Sequence, residues 1–242
     1  MGVPRFFFEG ELVEHQSLLL SEELSHYVQG VLRLPLGADL VLFNGRGGEF
    51  TARLEGNDKK KIRVKTLAWQ AREVESRLKI TLAQSISSRE KMDFIVQKAT
   101  ELGVHAILPL YTERSSARIA DEKIERRMAH WQKIAISACE QCGRNQVPSI
   151  SKPAKLLEAL PPLAAHDTRL LLDPGGDLAF KAMQPPGVNI AVIAGPEGGL
   201  SDNEVNLIAG NGFQRIMLGP RILRMETASL AALSAIQLMW GD

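Results

Sequence analysis

The chain has 242 residues, 45% of them hydrophobic and 24% charged, which is enough to bury a core and rules out a disordered or collagen-like polymer. Twenty-nine Lys and Arg stand against twenty-eight Asp and Glu, so the formal charge is +1 and a polyanionic partner must be met by a local patch rather than a global field. Two cysteines are too few for a disulfide framework, Met1-Gly2-Val3-Pro4-Arg5 followed by three phenylalanines is no signal peptide, and the most apolar stretch, Ala228 to Trp240, is broken by Ser229, Ser234 and Gln237 and is shorter than the ~20 residues that span a bilayer. The expectation is a soluble, cytoplasmic protein with no membrane contact.

The first seventy or so residues read as short strands and turns around one helix. Ser21 caps that helix with Glu22 and Glu23 in its first turn, and the helix stops before Pro35 and Gly37. Asp39 to Phe43, the turn Asn44-Gly45-Arg46-Gly47-Gly48, and Glu49 to Leu54 form a hairpin signal. The turn is no dinucleotide fingerprint, because that motif opens a helix and here the alternation Phe50, Ala52, Leu54 continues as a strand. From Lys61 to Lys65, Ile62 and Val64 take one face and the basic residues the other.

The charged, unpatterned stretch Trp69 to Arg77 reads as a linker, which divides the chain into residues 1–72 and 73–242. Beyond it strands and helices alternate: Leu78 to Gln84, a helix from Lys91 to Leu102, His105 to Leu110, a helix from Asp121 to Cys142, then Arg169 to Leu172, Asn189 to Ala194, a helix after Ser201, Gln214 to Leu218 and a last helix to Trp240. Pro161-Pro162 and Pro185-Pro186-Gly187 read as connectors. The order is that of an α/β domain with a mostly parallel sheet, whose ligands belong beyond the carboxyl ends of the strands.

Two loops stand at such ends. Asn189 to Ala194 runs into Gly195-Pro196-Glu197-Gly198-Gly199-Leu200, and Ser201 with Glu204 forms a capping box for the next helix. Three glycines let the backbone approach a ligand closely. A phosphate fits poorly: no Lys follows, no Walker spacing exists, and Glu197 would repel it, so a neutral or cationic ligand suits the loop better, with a plain tight turn as the alternative. The second loop, Gly219-Pro220-Arg221-Ile222-Leu223-Arg224, leads to Met225-Glu226-Thr227-Ala228 and a helix apolar all round, which predicts burial. Charges beside such an element must be paired, solvent-facing, or in use on a ligand; Arg224 and Glu226 are candidates for use.

Gly195-Pro-Glu-Gly-Gly199 with Ser201 and Glu204, followed by Leu218-Gly-Pro-Arg-Ile-Leu-Arg-Met-Glu-Thr-Ala228, resembles the paired signature of the bacterial small-subunit ribosomal RNA methyltransferase E family, within the knotted SPOUT methyltransferases. The likeness extends to Arg5-Phe6-Phe7, His26, Val31-Leu32-Arg33, Gly45 to Phe50, Lys98 to Val104, Thr112 to Ser115, and Glu140-Gln141 with Arg144 and Pro148; Leu200 and Cys142 depart from what is expected there. The resemblance implies a small β-rich PUA-like RNA-binding domain, a C-terminal domain with a trefoil knot, a homodimer, S-adenosyl-L-methionine as methyl donor, and N3 of a uridine in 16S rRNA of the small subunit as acceptor. Carried onto this chain it places the cofactor against Leu172, Ala194, Gly195, Gly199, Leu218, Gly219, Leu223, Thr227 and Ala228, with Glu197 in the same loop.

N3 of uracil carries a proton between two carbonyls and is a poor nucleophile until that proton leaves, so the reaction needs alignment and stabilisation of a uracilate. An arginine against a carbonyl oxygen would supply the second; Arg224 is the first candidate and Arg144 the second, with Glu226 or Glu101 as base or as an orienting group. The Watson–Crick edge must be exposed for this, so the RNA is met through an unpaired base and its phosphates. Nine basic against five acidic residues lie between Tyr111 and Lys155; Arg114, Arg118, Arg126 and Arg127 are the phosphate candidates there, with Arg5, Arg33 and Arg46 in the N-terminal domain. Cys139-Glu-Gln-Cys142 has metal spacing but lies in a helical run with no second pair, so no metal is expected. A non-catalytic RNA-binding module, a nicotinamide-dependent oxidoreductase and a methyltransferase acting on tRNA remain as alternatives.

Overall fold

The computed structural model describes residues 2–59 and 61–242. The chain divides into two compact units, one of residues 1–75 and 139–147, the other of residues 76–138 and 148–242.

In the first unit, β1 (Arg5–Phe7), β2 (Ser17–Leu19), β3 (Asp39–Phe43), β4 (Glu49–Asp58) and β5 (Lys61–Gln70) form a sheet in the order β1-β3-β4-β5-β2. The hairpin read from the glycine turn is β3–β4, paired Asp39 to Arg53 through Leu42 to Phe50. Ile62 and Val64 are buried while Lys61 and Arg63 are exposed, as alternation requires. The helix α1 (Glu22–His26) is capped by Ser21, whose hydroxyl accepts the Leu24 N–H, and it widens to a π turn over Tyr27–Val31. Trp69 lies in β5, so the strand runs further than the charge pattern suggests. The loop 143–147 and the last turn of the preceding helix join this unit through buried polar groups. Arg144 is held by both carboxylate oxygens of Glu75, Asn145 donates to the Arg72 carbonyl, and the Phe7 N–H donates to Glu140.

The second unit is the expected α/β arrangement. Its elements are β6 (Lys79–Ser85), α2 (Arg89–Glu101), β7 (Ala106–Tyr111), α3 (Ile124–Cys142), β8 (Ser149–Ile150), β9 (Ala154–Lys155), α4 (Leu156–Ala164), β10 (Thr168–Leu172), β11 (Leu178–Ala179), β12 (Asn189–Ala194), α5 (Asp202–Gly210), β13 (Gln214–Met217) and α6 (Met225–Ile236). Every pairing described in this sheet is parallel, in the order β11-β13-β10-β12-β6-β7-β8. Strands buried on both faces need continuous apolar runs, and Ile190 to Ile193 are fully buried.

Two sequence expectations are corrected. Pro161-Pro162 is no connector but the middle of α4, because Leu156, Ala159, Leu160 and Leu163 fall on one helical face and bury against Ala83, Leu110 and Leu171, which offsets the two lost backbone donors. The last helix is not buried all round: Met225, Ser229, Leu233 and Ile236 face the core, whereas Leu238 in the following π turn is 80% exposed.

Cys139 and Cys142 sit on α3 as free thiols, and burial pushes Cys139 up to about 12, so it stays protonated and inert at neutral pH. Among the described residues no three His, Cys, Asp or Glu gather in a metal-binding group, and no helix is long and apolar enough to cross a membrane.

Candidate functional site

Because β13, β10 and β12 are adjacent and parallel, their carboxyl ends open on one edge of the sheet. There Leu172 lies beside both Ala194 and Ile216. The loops that follow enclose a cleft of about 650 Å³, within the usual range for a small-molecule site. Both glycine-bearing loops line it. Leu172, Ala194, Gly195, Glu197, Gly199, Leu218, Gly219, Leu223 and Ala228 are all on its wall, joined by Arg224; Thr227, exposed in the first turn of α6, is not.

The first loop is fixed from several sides. The Gly199 N–H donates to the Pro196 carbonyl at 2.9 Å and Gly199 has a φ of +69°, a turn that a side chain would strain. A Cβ on Gly195 would lie 3.1 Å from Leu200. Ser201 and Glu204 make the expected capping box, and the other oxygen of Glu204 accepts the Glu113 N–H at 2.8 Å, which ties α5 to the loop after β7. Arg114 donates to the carbonyls of Gly198 and Leu200, so this arginine braces the loop.

Lys91 is the residue that sequence reading misses. It lies in the first turn of α2, just beyond the end of β6, a strand adjacent to β12; the rule that ligands gather beyond strand ends is the signal that points to it. Its ammonium stands 3.2 Å from Glu197 and 3.8 Å from Glu226 and lines the cleft. Glu197 also accepts the hydroxyls of Ser87 and Ser116. Burial raises the Glu197 carboxyl, but the Ser87 hydroxyl, a backbone N–H and Lys91 outweigh it and leave it below the ordinary carboxylate range. Glu226 differs: it is not on the cleft wall, and its buried Oε2, which accepts no hydrogen bond, has the Lys91 ammonium at 3.8 Å as its ion-pair partner.

A depressed acid contributes stability above its unfolded pKa and loses it as pH falls through its folded value. Lys91→Met should therefore raise the Glu197 pKa and move the acid limb of unfolding to higher pH. Carboxyl carbon NMR titration reads this directly; an unmoved Glu197 resonance would mean that Lys91 is not its counter-ion in solution.

The remaining candidates lie elsewhere. Glu101 is paired with Lys98 on α2, and Arg144 is bound by Glu75 in the first unit. Arg5 is engaged by Glu49 and donates to Asn145 at 2.7 Å, with its guanidinium over the Phe43 ring. Arg33 and Arg46 are exposed in the first unit; Arg126 is exposed on α3, and Arg127 lies over Trp131.

Residues 74–237 match the RNA methyltransferase domain family, and residues 20–67 the RNA methyltransferase PUA domain. The ribosomal RNA small subunit methyltransferase E of Buchnera aphidicola from Acyrthosiphon pisum is 38% identical over 99% of this chain and 95% of its own length. The Bacillus subtilis protein of the same name is 31% identical over 99% of this chain and 100% of its own. This chain belongs to the ribosomal RNA small subunit methyltransferase E family. A methyltransferase E from Neisseria gonorrhoeae, solved with S-adenosyl methionine bound, is 38% identical with a TM-score of 0.93 over 100% of this chain and 99% of that one. The SPOUT-type α/β fold with a PUA-like first domain, expected from the paired signature, is what these relatives of the methyltransferase E family share with it.

Proposed function

We propose that this chain transfers a methyl group from S-adenosyl-L-methionine to N3 of a uridine in 16S rRNA of the small subunit. The observation that carries the reading is the cleft, where the two signature loops meet beyond β10, β12 and β13 in the fold of a relative crystallised with that cofactor. The site fits the group: glycine at Gly195, Gly199 and Gly219 keeps side chains off the wall, with open space beside Gly199 and Gly219, which suits a nucleoside; Leu172, Leu218, Leu223 and Ala228 are apolar; and Glu197 on the wall favours a cation over a phosphate. When bound, the cofactor supplies a sulfonium methyl.

The chain's own residues do the rest. Arg224, at the N-cap of α6, stabilises charge developing on a uracil carbonyl oxygen, and Glu226 takes the N3 proton or orients that arginine. An extruded base is required, since N3 is on the pairing edge. A homodimer and a trefoil-knotted second domain belong to the same reading; the exposed Leu238 and Met239 beyond α6 support self-association, which sedimentation checks. Cytoplasmic location follows from an rRNA substrate.

The test has two arms. Calorimetry should show one S-adenosylmethionine site per chain, not displaced by NAD. Mapping labelled methyl groups on small subunits from a strain lacking the gene should place one N3-methyluridine in 16S rRNA; label in tRNA would redirect the substrate, and no cofactor binding would end the enzymatic reading.

A further inference from the structure

A second pocket, about 200 Å³, is bordered by Ser87, whose hydroxyl donates to Glu197 on the cleft wall. Arg89, Arg118, Lys123 and Arg127 line it, and no carboxylate does. Among the described residues Arg118, Lys123 and Arg127 take part in no ion pair, while Arg89 has Asp93 at 3.7 Å. Trp131 forms part of the wall; it is 1% exposed, and its indole N–H is buried with no hydrogen-bond partner. In a chain whose formal charge is +1, four cations gathered around one concavity with a spare buried donor repel one another until an anion enters.

We infer that this pocket seats a backbone phosphate of the RNA substrate, the phosphodiester next to the extruded uridine. The inference rests on the methyl-transfer reading and deepens it. A phosphate flanking a target base is one sugar away from it, and one hydrogen bond links the two linings: the Ser87 hydroxyl borders the pocket and donates to Glu197 on the cleft wall. Arginine suits the task, since its planar fork meets phosphate oxygens in pairs, and the indole N–H adds a neutral donor. The walls also come from the segment 117–120 and from α2, which begin beyond β7 and β6 at the same sheet edge as the cleft.

The test uses the full chain. Inorganic phosphate is titrated at constant ionic strength while the indole N–H resonances of Trp69, Trp131 and Trp240 are followed, Trp131 being assigned with Trp131→Phe. The Trp131 resonance should move with phosphate and the others should not, and Arg118→Gln with Arg127→Gln should remove the response. The same double variant should raise KM for small-subunit RNA about tenfold or more, keep cofactor affinity, and flatten the salt dependence by ~0.7 in slope for each phosphate that is no longer neutralised. A still Trp131 resonance with unchanged KM and salt slope overturns the pocket even if methyl transfer proceeds. A phosphate response with unchanged KM overturns its assignment to RNA. A phosphate response in a chain that methylates nothing supports the anion site and sinks the enzymatic reading instead.

Discussion

Arg224→Ala should lower methyl transfer about 10²–10³-fold, the usual cost of removing one charge-stabilising donor, while the affinity for S-adenosylmethionine changes no more than a few fold. Arg224 lines the cleft and is exposed, and among the described residues its guanidinium is used in no hydrogen bond or ion pair. Its charge is therefore free for a substrate oxygen. Arg224→Lys should recover part of the loss, because the charge is kept and the planar fork is not. Single-turnover rates at saturating RNA, set beside calorimetric cofactor affinity, separate the two roles. A large loss of cofactor binding would make Arg224 a wall of the nucleoside pocket and remove it from catalysis.

Glu204→Ala should cost about 2–4 kcal/mol, measured as a lower urea midpoint with an unchanged slope. Glu204 is 6% exposed, and its two oxygens accept the N–H groups of Ser201 and Glu113. Alanine leaves both backbone donors without their acceptor near the loop that bears Gly195 to Gly199, so weaker cofactor binding should accompany the instability. Glu204→Gln keeps one acceptor oxygen and should fall between. Wild-type stability in Glu204→Ala would show that water replaces the carboxylate and that the loop is held by Arg114 and the Pro196–Gly199 turn.

Much of the second unit can be read without coordinates because its signals are local. Strand β12 is marked to the residue by a bare apolar run ending in glycine and proline, and α5 by the Ser201–Glu204 box. Helix α4 is hidden because two prolines outweigh propensity in a short window, while the four apolar residues that stabilise it count only once β7 and β10 are there to receive them. In the same way the apolar helix at the end looks wholly buried from its residues, since periodicity cannot report which face has a neighbour.

The charged residues divide differently. Composition and motif spacing by themselves determine that this is an α/β chain with two glycine-bearing loops at strand ends and a local excess of arginine. Which arginine serves what is decided by tertiary structure alone: Arg5 goes to Glu49, Arg144 to Glu75, Arg114 to the carbonyls of Gly198 and Leu200, and Arg118 with Arg127 to a pocket without acids. The reason is physical. Backbone periodicity and turn chemistry act within a few residues, whereas a charge is defined by partners tens of residues away, and an ion pair, a brace and a free cation look alike until the chain has folded.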